Sequence, residues 1–107
     1  MTLAGLTFRA IANSKNGTMT TETRMTFHLD DGLVTASYGG GSIAVGQVVG
    51  RHTGERTVQL LYQCLTVAGE LRAGEASARF ADDRMFLEWQ WLTGDRSRGE
   101  SEWVREE

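Results

Sequence analysis

The stretch TMTTETRMTFHL, residues 18–29, alternates along its whole length. Met19, Thr21, Thr23, Met25, Phe27 and Leu29 fall on one side of an extended chain, and Thr18, Thr20, Glu22, Arg24, Thr26 and His28 on the other. A period of two marks a strand with one buried and one wet face, because successive side chains of a strand point to opposite faces. On one side of it stands Asn16-Gly17 and on the other Asp30-Asp31-Gly32. These residue types accept the backbone angles of tight reversals, so the stretch reads as a strand between two turns.

The same rhythm continues outward. Upstream, residues 6–13 form a first strand. Downstream, residues 33–38 form a third, burying Val34, Ala36 and Tyr38, and Gly39-Gly40-Gly41 then reads as a flexible loop able to serve as a lid. Residues 42–52 are apolar on both faces, with Ile43, Val45 and Val49 on one and Ala44, Gly46, Val48 and Gly50 on the other. Residues 57–67 place Val58, Leu60, Tyr62 and Cys64 on one face, and Ala68-Gly69-Glu70 turns the chain. In residues 71–80, Glu, Leu, Arg and Ala favour helix, but Gly74 in the middle opposes it, and we read a strand. Residues 85–92 align Met85, Leu87, Trp89 and Trp91, and after a polar loop over 93–99 a last strand occupies 101–105.

Eight strands with short connections leave no segment for a crossover helix, so the fold class is all-β and the strands form an antiparallel meander. Closing it into an eight-stranded up-and-down barrel removes both sheet edges and creates an interior that side chains or one small ligand can fill. Strand spacing alone leaves a stacked sandwich as the alternative.

Length and composition set the class of protein. At 107 residues, one domain spanning 1–107 is expected. The chain is 40% apolar and 23% charged, with 13 glycines and no proline, too apolar for disorder. No run approaches the roughly 20 apolar residues of a membrane-spanning helix, and residues 1–9 lack the pattern of a signal peptide, which points to the cytoplasm and away from a membrane partner. A net charge of −3 offers no basic footprint for nucleic acid. Cys64, His28 and His52 form no metal-ligand spacing, so neither metal nor cofactor is expected.

Tyr38, Trp89, Trp91 and Trp103 lie near strand ends where a barrel mouth would gather them, as ligand-stacking walls or as plain core. Gly39 to Ala44 matches G-x-G-x-x-A in form, but a strand and not a helix follows, so it holds no pyrophosphate. Asp30-Asp31 and Asp82-Asp83 sit in turns, His28 and His52 on polar positions, and Cys64 among apolar ones. No catalytic set stands out.

The run Trp89-Gln90-Trp91-Leu92-Thr93-Gly94, followed by Glu102-Trp103-Val104, resembles the last two strands of avidin and streptavidin. Ala36-Ser37-Tyr38 with its glycine-rich loop and Val48-Val49-Gly50-Arg51 extend the likeness over most of the chain. It is similar to the short prokaryotic avidin-like proteins, an avidin/calycin-like barrel family whose members often carry the label N-acetylglutamate synthase. Acetyl transfer from an acyl-CoA calls for a helix-bearing α/β fold, which is not visible here, so that activity is not expected. The resemblance implies a small-molecule ligand, with Ser14 and Tyr38 as polar contacts, Trp91 as a wall, and Trp103 reaching into a neighbouring subunit of a homodimer or homotetramer. It also implies weakened biotin binding: Ala10 stands at the first-strand asparagine position, Gly40 at a loop serine, and the chain ends at Glu107 before a final-strand aspartate. The reading is a ligand-binding barrel without tight affinity for biotin. The alternatives are a small enzyme using the same cavity or a purely structural oligomer.

Overall fold

In the computed structural model, described for residues 2–14, 20–28 and 33–106, the chain forms strands β1 (Thr7–Asn13), β2 (Arg24–His28), β3 (Val34–Gly40), β4 (Ile43–Gly54), β5 (Thr57–Thr66), β6 (Leu71–Ala81), β7 (Arg84–Trp91) and β8 (Arg98–Glu106). Each pairs antiparallel with its neighbour in sequence, and β8 returns to β1 with Thr7 opposite Glu106, closing the barrel. Residues 71–81 are strand: Gly74, Ala76, Ala78 and Phe80 point inward at period two, and that burial outweighs their helical preference.

Three readings are corrected. Within the alternating stretch, residues 20–23 are not strand, and β2 begins at Arg24, where Met25 and Phe27 turn inward. Before it, threonine hydroxyls compete for the backbone: Thr23 Oγ1 accepts from the Thr20 amide at 3.1 Å and donates to the Gly40 carbonyl, and the Thr23 amide donates to the Thr20 carbonyl. These bonds make a turn out of residues that alternate like a strand. Residues 15–19 and 29–32, including the Asn16-Gly17 and Asp30-Asp31-Gly32 turns, lie outside the described residues.

Second, Gly39-Gly40-Gly41 is no lid. β3 runs through Gly40, which pairs with Ile43, so Gly41 and Ser42 alone make the reversal, with Gly41 at φ 63°. Third, the faces of β4 are not the simple alternation expected. A bulge at Ala44 lets both Ile43 and Gly46 face the interior, while Val45 and Val49 are exposed. The interior face of β4 is therefore Ile43, Gly46, Val48 and Gly50, the last lying against Leu60 and Val58.

The barrel has two unlike ends. One carries the turns that follow β4 and β6, and there Phe8, Phe27 and Phe80 meet edge to face with centroids 5.7–6.1 Å apart. Aromatic edges packed this way fill the interior without a polar atom. The other end, called the mouth below, receives the segments after β1, β3, β5 and β7.

Candidate functional site

Strand register sets the depth of each side chain below the mouth. Nearest the opening, Cys64 of β5 stands opposite Arg72 of β6. One level deeper, Tyr62, Gly74 and Trp91 form a row across β5, β6 and β7. A level below that, Leu60, Ala76, Trp89 and Gly99 form the next row.

Glycine makes this arrangement possible. A Cβ on Gly74 would fall inside the Tyr62 ring, and one on Gly99 inside the Trp89 ring. Each ring lies flat over its neighbouring strand because the residue paired with it has no side chain. Tyr38 lies over Gly46 in the same way.

The rings converge on Trp91. Tyr62 meets it at 5.5 Å and 69°, Trp89 at 5.9 Å and 56°, and the Arg72 guanidinium carbon sits 3.8 Å above its ring centroid. Within this cluster, the Tyr62 hydroxyl and Trp89 Nε1 are buried and make no hydrogen bond. The Tyr38 hydroxyl lies close enough to the Cys64 thiol for each to shift the other's titration. Burial pushes both phenols above their ordinary value of 10.0, and proximity to the Cys64 sulfur adds to the effect. Burial likewise raises the Cys64 thiol, partly offset by the Tyr38 hydroxyl and the Arg72 charge. The arrangement is suited to stacking a flat molecule and giving it hydrogen bonds; its thiol is kept neutral.

The anticipated residues fare differently. Trp89 and Trp91 are adjacent, and Ser14 lies beside Gly99 under Trp89. The Ser14 hydroxyl is already used: it accepts from the Glu100 amide at 2.8 Å and donates to the Glu100 carbonyl at 3.1 Å, stitching β1 to β8. Tyr38 enters through Cys64. Trp103 sits deeper, between Ala10 and Met85, fully buried, with Nε1 donating to Ser101 Oγ at 2.9 Å. Its indole is enclosed by its own barrel, so the expected reach toward a neighbouring subunit is corrected. Tyr62 and Arg72 were missed as site residues, although Tyr62 shares a strand face with Cys64. Pairing residues across the β5–β6 turn would have set it against Gly74.

Elsewhere, His28 is exposed on the outer surface with Nε2 3.1 Å from Ser37 Oγ, and Asp82-Asp83 forms a turn with Asp82 at φ 53°. Among the described residues, no three His, Cys, Asp or Glu side chains are grouped to hold a metal ion, and no helix is long and apolar enough to cross a membrane.

A family model described as avidin-like protein matches residues 1–106, the whole of this closed eight-stranded barrel. The chain belongs to the avidin-like family. No curated protein and no solved structure matches it. In this avidin-like barrel, Ala10 faces the interior beside Trp103 and brings only a methyl group there. Gly40 sits at the end of β3, where its carbonyl is taken by Thr23. Two positions at which the resemblance implies polar ligand contacts thus offer no side-chain donor, and the donors that are present, Tyr62 and Trp89, come from other positions.

Proposed function

We propose that this avidin-like barrel binds a small organic molecule at its mouth, with Tyr38, Tyr62, Trp89 and Trp91 as walls, Ser14 fixing the rim, and Trp103 supporting the floor. One observation carries the reading: Tyr62 Oη and Trp89 Nε1 are buried donors without acceptors, gathered on one tryptophan. Leaving such a group unpaired costs about 1–3 kcal/mol, and a ligand that supplies acceptors recovers it. Native mass spectrometry of the protein purified from its own host tests this. A retained small molecule supports it, and a bare polypeptide that also gains nothing from a host metabolite extract overturns it. An enzymatic reading would need a titrating group in the cavity, and Cys64, the candidate nearest the mouth, is held as a neutral thiol by burial.

Tight biotin binding is not part of the reading. A pocket made to hydrogen-bond a ligand loses much affinity when its partners are absent, and Ala10 and Gly40 supply none. Calorimetry with biotin is expected to show a Kd no tighter than about micromolar; nanomolar binding would refute the residue-by-residue argument.

The barrel also assembles with copies of itself in this reading, as a homodimer or a dimer-built tetramer. Val45, Val49, Leu61 and Leu71 are exposed on the outer face of β4, β5 and β6, where Val49 pairs with Leu61. Val45, Leu65 and Leu71 line a groove of about 400 Å³ that runs up to Cys64 and Arg72 at the mouth. The Gln47–Gln63 hydrogen bond separates the Val45–Leu65–Leu71 row from the Val49–Leu61 pair, and two exposed apolar rows so close together on a small barrel favour a subunit contact over bare surface. Light scattering tests it, and a monomer mass that persists on concentration would defeat it.

A further inference from the structure

Among the described residues, Arg72 is the cation that meets the ring cluster of the mouth. The guanidinium lies 3.8 Å over Trp91, and among the described residues it forms no ion pair and no hydrogen bond. The acid of the β7–β8 loop, Asp95, spends its carboxylate on the Ser97 amide at 3.0 Å, which chiefly holds it below the usual range; the Arg72 charge adds to this through space, without a bond. Glu70 and Glu75 act on the neighbouring Cys64 and Tyr62 through space, yet neither bonds Arg72. The other polar groups of the cluster that lack partners, Tyr62 Oη and Trp89 Nε1, are both able to donate.

We infer that Arg72 is the anion anchor of this mouth, and that the ligand is a planar organic carboxylate. The inference rests on the small-molecule reading above and names the chemistry of that site. Arg72 covers the ring face that a flat ligand would occupy on Trp91. A neutral ligand must displace the guanidinium into water and gains nothing from it. A carboxylate-bearing one takes the guanidinium edge with its two oxygens, so that as its ring replaces the guanidinium on the indole the displaced cation stays paired with it. An acceptor on the ligand's ring then meets Tyr62 or Trp89. A single guanidinium with neutral donors suits a monoanion better than a phosphate dianion.

The test is a tryptophan-fluorescence titration of the whole chain with naphthoate and with naphthamide, which share a ring system and differ in charge. The wild type is expected to bind naphthoate about tenfold or more tighter than naphthamide, since a charge-assisted hydrogen bond is worth that much over a neutral one. In Arg72→Gln the two affinities should converge through loss of the naphthoate advantage, and Arg72→Glu should reverse the order. Circular dichroism of both variants confirms the barrel is intact; Arg72 is only half-buried at the edge of β6. Equal wild-type binding of the two probes, or a naphthoate preference surviving in Arg72→Gln, overturns the anchor and leaves the pocket reading standing. Binding of neither probe to the wild type overturns the carboxylate assignment, and retention of a neutral host molecule in its place would show that the pocket reading survives without it.

Discussion

At the mouth, single residues decide whether the interior is finished or waiting. Trp103 is finished, because Ser101 accepts its indole proton in the same strand. Tyr62 is not, because its hydroxyl is buried without a partner. Replacing Tyr62 with Phe removes a group that was desolvated for nothing in the ligand-free protein. The variant is expected to be more stable by about 1 kcal/mol, read as a raised Tm, while its affinity for the retained ligand falls. A lower Tm would mean that the hydroxyl is satisfied in solution. Of the residues that matter here, Trp89 and Trp91 were legible from their neighbouring motif, since aromatic residues alternating at a strand end announce themselves. Tyr62 and Arg72 were not, because their meaning depends on residues about twelve and nineteen positions away, Gly74 and Trp91, that only the closed register brings alongside.

Elements repay a closer look at their faces. β4 turns Val48 inward at 2% exposure and Val49 outward at 63%, so two adjacent valines test different properties. Val48→Glu buries an unpaired carboxylate and should unfold the barrel, a loss of roughly 4–5 kcal/mol or more. Val49→Glu should keep the circular dichroism of the wild type and shift the light-scattering mass to that of a monomer. A folded Val48→Glu would mean the strand is turned over, and an unchanged mass in Val49→Glu would place any subunit contact elsewhere. Polarity alternation was enough to find every strand, including β6 against its helical composition. It failed at two places, one through local hydrogen bonding and one through a bulge. Threonines 20 and 23 bond their own backbone and shorten β2, and the bulge at Ala44 puts Ile43 on the face that a strict period of two denies it. Periodicity counts residues and is blind to a residue that is skipped.

Seen whole, the barrel protects its two tyrosines together. Both phenols are raised above 10.0 by burial, so the folded state keeps protons that an unfolded chain begins to release near that value. The sign follows: their contribution to stability is complete below pH 10 and is lost progressively as pH rises above it. In an alkaline titration the tyrosinate absorbance is expected to appear in a single step coincident with loss of circular dichroism. Tyrosinate forming at pH 10 in a protein with native circular dichroism would show that water reaches the phenols.

The seam between β1 and β8 differs from every other junction in the sheet. Seven strand pairs join neighbours along the chain, and only this one joins its two ends, with Thr7 opposite Glu106. Hairpins zip from their turns, whereas the seam has no turn to start from and must wait until both ends are brought round. Waiting is slow but not expensive, since loop entropy grows only with the logarithm of length and doubling a loop costs about 0.6 kcal/mol. Glu106 helps hold the junction by pairing with Arg9 at 3.5 Å and reaching past β1 to Arg24 at 2.8 Å. The molecule is thus expected to be a ribbon before it is a tube, with its apolar side facing water until the seam closes, which makes closure the step at which aggregation would compete with folding.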